Sequence, residues 1–252
     1  MTRRHIACLF LMLLVTATLG TAQKNAPAAK KTKRTSFTER VLRFLGISDS
    51  PGTLKGPGDE IVSGELWLAD LQAKTTRALS AGDGYRSPVF LASDKDVLAL
   101  RGSEVVRFSG GSGEGKKLYS VDGVLKLVGT SSEDAGAVLI LLRADAGGHP
   151  RVGELTVSTG KVTLVPYDPA SDQDLLMVEA LSAWSRTYGD RRIYVQKQTK
   201  EAFSGKVEWH DVFLQVGTQS PVDVSQCDGV NCGQPSISTD GRWLVFVKAR
   251  AE

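Results

Sequence analysis

The stretch Pro235-Ser236-Ile237-Ser238-Thr239-Asp240-Gly241-Arg242-Trp243-Leu244-Val245-Phe246 sets two apolar runs on either side of an Asp-Gly pair. Asp bonds nearby backbone donors and Gly takes a positive φ at no steric cost, so Asp240 and Gly241 mark a structural turn between two antiparallel strands. The run after the turn is apolar at nearly every position, as in a strand buried by its neighbours.

The same scheme returns upstream. Residues 87–100 (SPVFLASDKDVLAL), 125–142 (LKLVGTSSEDAGAVLILL) and 181–195 (LSAWSRTYGDRRIYV) each read as an apolar strand, an Asp or Gly turn and a more hydrophobic strand. A second scheme lies between the copies, an apolar strand followed by a small polar turn and another strand. It occupies residues 65–79, 104–119, 153–165 and 211–224. The two schemes alternate at roughly 40 to 57 residues, as blades with variable loops would. From residue 64 onward no long helical period interrupts them, so the expected class is all-β.

Residues 235–246 resemble the repeat of TolB-type β-propellers, in which Pro, an apolar residue, Ser, a spacer and Asp-Gly precede a buried strand. Leu66-Trp67-Leu68-Ala69-Asp70-Leu71, with Leu79 after it, is similar to the second half of that repeat. The likeness is partial around Pro88 and Trp184 and poor at Leu125. It implies a propeller fold and a structural role for Asp240 and Gly241. Proteins of the TolB type act in envelope complexes, but no counterpart of their separate N-terminal domain is recognisable here, so a role in the same complex does not follow.

The phase of the repeat carries more. The chain enters the domain on second-half strands (65–79) and leaves it on first-half strands (235–247), so its two ends complete one blade together. Pairing the termini removes exposed edges. This predicts a small, closed propeller of four blades spanning 61–252, the last blade closed by N- and C-terminal strands. The alternative is an open half-propeller that dimerises.

Ahead of the domain, Met1-Thr2-Arg3-Arg4-His5 is a short positive region, and residues 6–20 form an uncharged, largely apolar run. Such a run is too short to span a bilayer, which takes about 20 apolar residues. Small residues at Gly20 and Ala22 fit a signal-peptidase site, so residues 1–22 read as a signal peptide cleaved after Ala22, and the mature protein as periplasmic or secreted. Residues 23–60 form a basic flexible linker rich in Ala, Pro, Gly and Lys. Within it, Ser36 and Glu39 have capping-box spacing. Phe37, Val41, Phe44 and Leu45 make an apolar stripe flanked by Arg40 and Arg43, which predicts a short amphipathic helix near 36–46. These six residues are candidate partner contacts. The helix could rest on its own domain, dock on a partner protein or make peripheral contact with an anionic membrane.

The formal charge is +3, and much of the excess sits in the signal and linker, so composition gives no case for nucleic acid. In an oxidising compartment Cys227 and Cys232 are expected to pair as a disulfide fixing a local turn. Zinc usually needs four ligands, and only His149 and His210 accompany these thiols in the mature chain, so no metal is expected. The acidic run at Asp168, Asp172 and Asp174 lacks the Gly and Glu of a calcium loop and reads as a solvated connection. Residues 110–115 (GGSGEG) lack both the hydrolase elbow and the phosphate-loop spacing. Trp67, Trp184, Trp209 and Trp243 read as core between blades. No cofactor is implied. The expected function is a non-enzymatic, exported scaffold binding an envelope protein of unknown identity. The alternative is a glycan- or peptide-binding or hydrolytic propeller with its site at the central channel.

Overall fold

The computed structural model describes residues 36–45, 63–91, 96–110, 113–144, 148–183, 186–203 and 205–249. The signal peptide, the basic cluster 30–34, residues 46–62 and Trp184 lie outside them. Among the described residues, no helix is long and apolar enough to cross a membrane.

The chain forms four four-stranded antiparallel sheets, the blades of a small β-propeller. Blade 1 comprises β3 (Tyr85–Phe90), β4 (Val97–Arg101), β5 (Glu104–Phe108) and β6 (Gly115–Ser120). Blade 2 comprises β7 (Val124–Thr130), β8 (Ala137–Leu142), β9 (Arg151–Thr156) and β10 (Val162–Val165). Blade 3 comprises β11 (Arg186–Tyr188), β12 (Arg191–Ala202), β13 (Gly205–Val216) and β14 (Val222–Asp223). Blade 4 has the order β15-β16-β1-β2, pairing the C-terminal β15 (Cys232–Ile237) and β16 (Trp243–Lys248) with the N-terminal β1 (Glu65–Asp70) and β2 (Thr75–Ala78). The seam runs in register from Glu65 opposite Lys248 to Asp70 opposite Trp243. The composite blade expected from the repeat phase is therefore present.

Strands β4, β8 and β16 are apolar at almost every position because each face packs on a different neighbour. In β16, Val245 and Val247 join Val97, Ala99 and Phe108 of blade 1, while Leu244 and Phe246 join Ile193 and Val212 of blade 3. In β4, Leu98 and Leu100 turn to blade 2, where they meet Val138, Ile140 and Leu142. Period-two alternation thus divides the residues of one strand between two clusters.

The first strands of blades 1 and 4 share a second device. The ladder shifts between Arg86 and Val89 in β3 and between Gly233 and Ser236 in β15. Each shift contains a residue just before proline, Ser87 and Gln234, with φ of 53° and 52°. Proline disfavours the right-handed helical region for the residue ahead of it, and the bulge takes up the extra residue. The two bulges touch: the Ser87 amide donates to Gln234 Oε1 at 2.7 Å.

Blade 2 departs from this pattern, where the repeat was weakest. Lys126 sits there at 5% exposure, its ammonium donating to the carbonyls of Ser182 at 2.9 Å and Ala183 at 2.7 Å. Those carbonyls end a helix that corrects the sequence reading, in which Asp172 and Asp174 belong to a solvated connection and an apolar strand opens at Leu181. After α1 (Phe37–Leu45), the second helix is α2 (Asp172–Ser182). Ser171 caps α2, accepting from the Asp174 amide, and Asp172 and Asp174 form its first turn, where the helix dipole favours negative charge. Lys126 supplies the positive charge at the other end, where α2 has no basic residue of its own.

Helix α1 forms as its capping box requires. The Ser36 amide donates to Glu39 Oε2 and the Glu39 amide to Ser36 Oγ, each at 3.1 Å. It belongs to the same compact unit as the blades, Ser36–Glu252. With α2 it covers the face of blade 2 that turns away from blade 1, burying Phe37 and Val41 against Val128, Leu139, Leu141 and Val152. Four of the six candidate partner contacts are thus used by the domain itself, Phe37 and Val41 buried and Phe44 and Leu45 packed against the same cluster. Ser132 satisfies carbonyls at the end of α1, its amide donating to Phe44 O at 2.7 Å and its hydroxyl to Arg43 O at 2.9 Å.

Candidate functional site

Strand β3 packs against β7 and β15, and β15 packs against β12 and β13, so first strands lie innermost at three blade junctions. The ends of the first strands and the connections that follow them open on a cavity of about 630 Å³ lined by residues from all four blades. Val89 and Phe90 come from blade 1, residues 129–133 from blade 2, Tyr188, Gly189 and Arg191 from blade 3, and residues 236–241 from blade 4. Leu45 of α1 reaches the same rim. The lining mixes hydroxyls and backbone with three charged side chains, Glu133, Arg191 and Asp240.

Blade 4 shows how its part of the rim is held. The Gly241 amide donates to Ser238 O at 2.8 Å, and the Arg242 amide donates to Asp240 Oδ1 at 3.0 Å. The Ser238 hydroxyl donates to Asp240 Oδ1 at 2.5 Å and accepts from the Trp243 amide at 2.9 Å. Gly241 has φ of 67°, and a Cβ there would strike the Arg191 guanidinium. Arg191 donates to Gly241 O, joining the turns of blades 3 and 4. Behind the turn, Arg242 donates to Asp70 Oδ2 at 2.9 Å. That bond, with the amides of Ala73 and Gln72, holds the Asp70 carboxyl below its usual range.

Asp240 and Gly241 therefore serve the turn and also face the cavity. Glu133 and Arg191 were missed by sequence reasoning. For Arg191 a signal was available, because Gly189-Asp190-Arg191 holds the same place in blade 3 as Asp240-Gly241-Arg242 in blade 4, whereas nothing in the repeat marks Glu133. Of the candidate partner contacts, Leu45 alone reaches the rim; Phe44 is half-buried, Arg40 is exposed, and Arg43 pairs with Glu133 at 2.5 Å.

The other candidates stand elsewhere. His149 is exposed ahead of β9, and Asp168, Asp172 and Asp174 gather at the start of α2. His210 falls in the middle of β13, which begins at Gly205, earlier than the expected 211. Its amide donates to Asn231 Oδ1 at 3.0 Å, and its Nδ1 lies 3.1 Å from the same oxygen. None of these residues lines the cavity. Trp67, Trp209 and Trp243 are half-buried, with Trp67 and Trp243 packed against the clusters between blades.

Cys227 and Cys232 form a disulfide with Cα atoms 6.3 Å apart, both buried. The loop it closes lies beside β13, where the Cys227 amide donates to Asp211 Oδ1 at 2.8 Å.

No protein-family model matches the chain, and no curated protein does. Among solved structures the chain is similar to one from Agrobacterium tumefaciens bearing the TolB name, at 15% identity and a TM-score of 0.35, covering 73% of this chain and 61% of that one. It is also similar to TolB from Acinetobacter baumannii, at 16% identity and a TM-score of 0.34, covering 74% of this chain and 49% of that one. The chain thus spans about half to three fifths of the length of these two structures. Its own sheets make it a four-bladed β-propeller with a disulfide-closed loop and a cavity reached by every blade.

Proposed function

We propose that this domain is a non-enzymatic scaffold of the periplasm or cell envelope, and that it receives a segment of a partner envelope protein at the cavity. The observation that carries the reading is the rim itself, to which all four blades contribute, with hydroxyls and turn backbone set beside apolar side chains such as Val89, Phe90 and Ile237. Such a surface offers hydrogen bonds in many directions on a rigid frame, which suits a peptide segment. The separation of His149, His210 and the acidic residues from this rim favours binding over acid–base chemistry there.

The test is crosslinked affinity purification from envelope fractions, using the tagged protein, a variant that fills the rim from the exposed Thr239 (Thr239→Arg), and a variant lacking residues 24–35. The deletion stops short of α1 because Phe37 and Val41 belong to the core. One envelope protein enriched with the parent protein and lost with Thr239→Arg supports the reading. Loss with the deletion alone moves the contact to the basic linker, and enrichment of nothing overturns the reading.

The cavity volume favours a second reading, because about 630 Å³ lies within the range of small-ligand sites. Calorimetric titration with short glycans and peptides tests it. Heat that vanishes in Thr239→Arg supports a small ligand, and an absence of heat overturns one.

A further inference from the structure

Strands β12 and β13 run 12 residues each, whereas β11 has 3 and β14 has 2, so their hairpin extends beyond the sheet as an arm. The two edges of this arm differ in its inner half, up to His210. Along β13, the His210 amide donates to Asn231, the Val212 amide donates to Ser225 Oγ at 2.9 Å, and Val212 O accepts from the Val224 amide at 2.9 Å. Along β12, the ladder to β11 ends at Ile193. From Val195 to Ala202 the outward backbone groups of β12 meet no strand among the described residues. An edge of this kind either adds a strand or is blunted by charged side chains.

Its residue order separates these two outcomes. Read antiparallel to itself about Thr199, the segment is self-complementary: Lys197 faces Glu201 of a second copy, Glu201 faces Lys197, and Thr199 faces Thr199. Opposite charges and Thr pairs directly across a ladder are stabilising, and like charges are destabilising. A continuous sheet keeps like-numbered residues of both copies on one face, so the register slides only in steps of two. Centring on Gln198 sets Lys197 against Thr199, and centring on Lys200 sets that ammonium against itself. The Thr199 register alone of the three makes two opposite-charge pairs. It also brings Phe203, fully exposed at the tip, to the base of the other copy's arm.

We infer that the outer edge of β12 is a self-recognition surface, at which two copies of this protein join antiparallel about Thr199 into one continuous sheet. The interface is isologous, so every favourable pair occurs twice.

Charge reversal tests it through mixing. Lys197→Glu and Glu201→Lys each set like charges across the dyad and should weaken self-association about tenfold or more, read by sedimentation velocity over a wide concentration range. An equimolar mixture of the two variants restores both pairs and should recover the dimer. Because reversal also disturbs charges within the arm, Thr199→Cys provides an independent reading. Residues directly opposite lie about 4.5 to 5.5 Å apart between Cα atoms, within disulfide reach. Thr199→Cys should therefore crosslink two copies on mild oxidation, whereas Glu201→Cys should not. A parent protein that stays monomeric with Thr199→Cys uncrosslinked overturns the inference. Single variants that dimerise like the parent overturn it equally.

Discussion

Blades 2 and 3 each turn one sheet face away from the blade they pack on, and the two faces differ. In blade 2 that face carries Val128, Leu139, Leu141 and Val152, all buried under α1 and α2. In blade 3 it carries Arg192, Tyr194, Trp209 and Phe213. Tyr194 and Phe213 lie with ring centroids 5.9 Å apart, the Arg192 guanidinium sits 5.1 Å over Tyr194, and Trp209 Nε1 donates to Asp211 Oδ2 at 2.6 Å. A purely aliphatic face gains only by being removed from water, so it takes its cover from helices outside the blade. An amphipathic face can remain half-buried, because aromatic edges, guanidinium and indole nitrogen stay hydrated or find partners within the sheet. Cover in blade 2 is tertiary, whereas in blade 3 it comes from neighbouring side chains.

The sharpest break of this contrast is Leu139→Ala, which leaves a cavity beneath both helices. It should cost about 3 kcal/mol in chemical denaturation, and it should release α1 to proteolysis. Next is Lys126→Met, which keeps the volume but removes the cation from the Ser182 and Ala183 carbonyls. A loss of about 2 kcal/mol is expected, with hydrogen exchange rising first in α2. Tyr194→Ala in blade 3 should cost only about 1 kcal/mol, the scale of an aromatic pair on a half-exposed face. A Tyr194→Ala cost equal to that of Leu139→Ala would erase the distinction.

The smallest effect concerns Glu208 on the arm, whose carboxyl Lys197 and Lys206 hold below the usual glutamate range. A carboxyl lowered in the folded state stabilises above its unfolded value, about 4.3, and the gain is lost as pH falls through the lower folded value. Amide protection in the arm should therefore decline on acidification below about pH 4, and added salt should have a similar effect. The strands of blade 2 should show neither response. Glu208→Gln should remove the pH dependence of the arm while leaving the core unchanged.

Much of the blade pattern was legible because alternation is local. Seven of the eight strand-pair segments fall on strands largely as read, and the capping pair Ser36 and Glu39 marks the start of α1. Helix α2 escaped because Leu175, Leu176, Met177 and Val178 are consecutive and leave no helical stripe. Its true signals were Ser171 ahead of two acidic residues and a cation at its far end that arrives from β7. The length of the arm was also hidden, since the mostly polar residues 196–210 fall between the segments 181–195 and 211–224. At the rim, Asp240 and Gly241 were found as a turn, but a turn motif does not say which way it faces.

By itself the sequence determined the four strand–turn–strand units, their phase across the termini, the disulfide pair and a short helix ahead of the domain. Each follows from spacing along the chain, where sterics and alternation act over a few residues. Tertiary structure decided what covers blade 2, that α2 is a helix and that all four blades share one cavity. It also decided that the β13 edge of the arm is bonded at His210 and Val212, while from Val195 to Ala202 the β12 edge meets no strand among the described residues. These outcomes depend on groups far apart in sequence, such as Lys126 with Ser182, Arg191 with Gly241 and His210 with Asn231, whose partners exist only once the blades have packed.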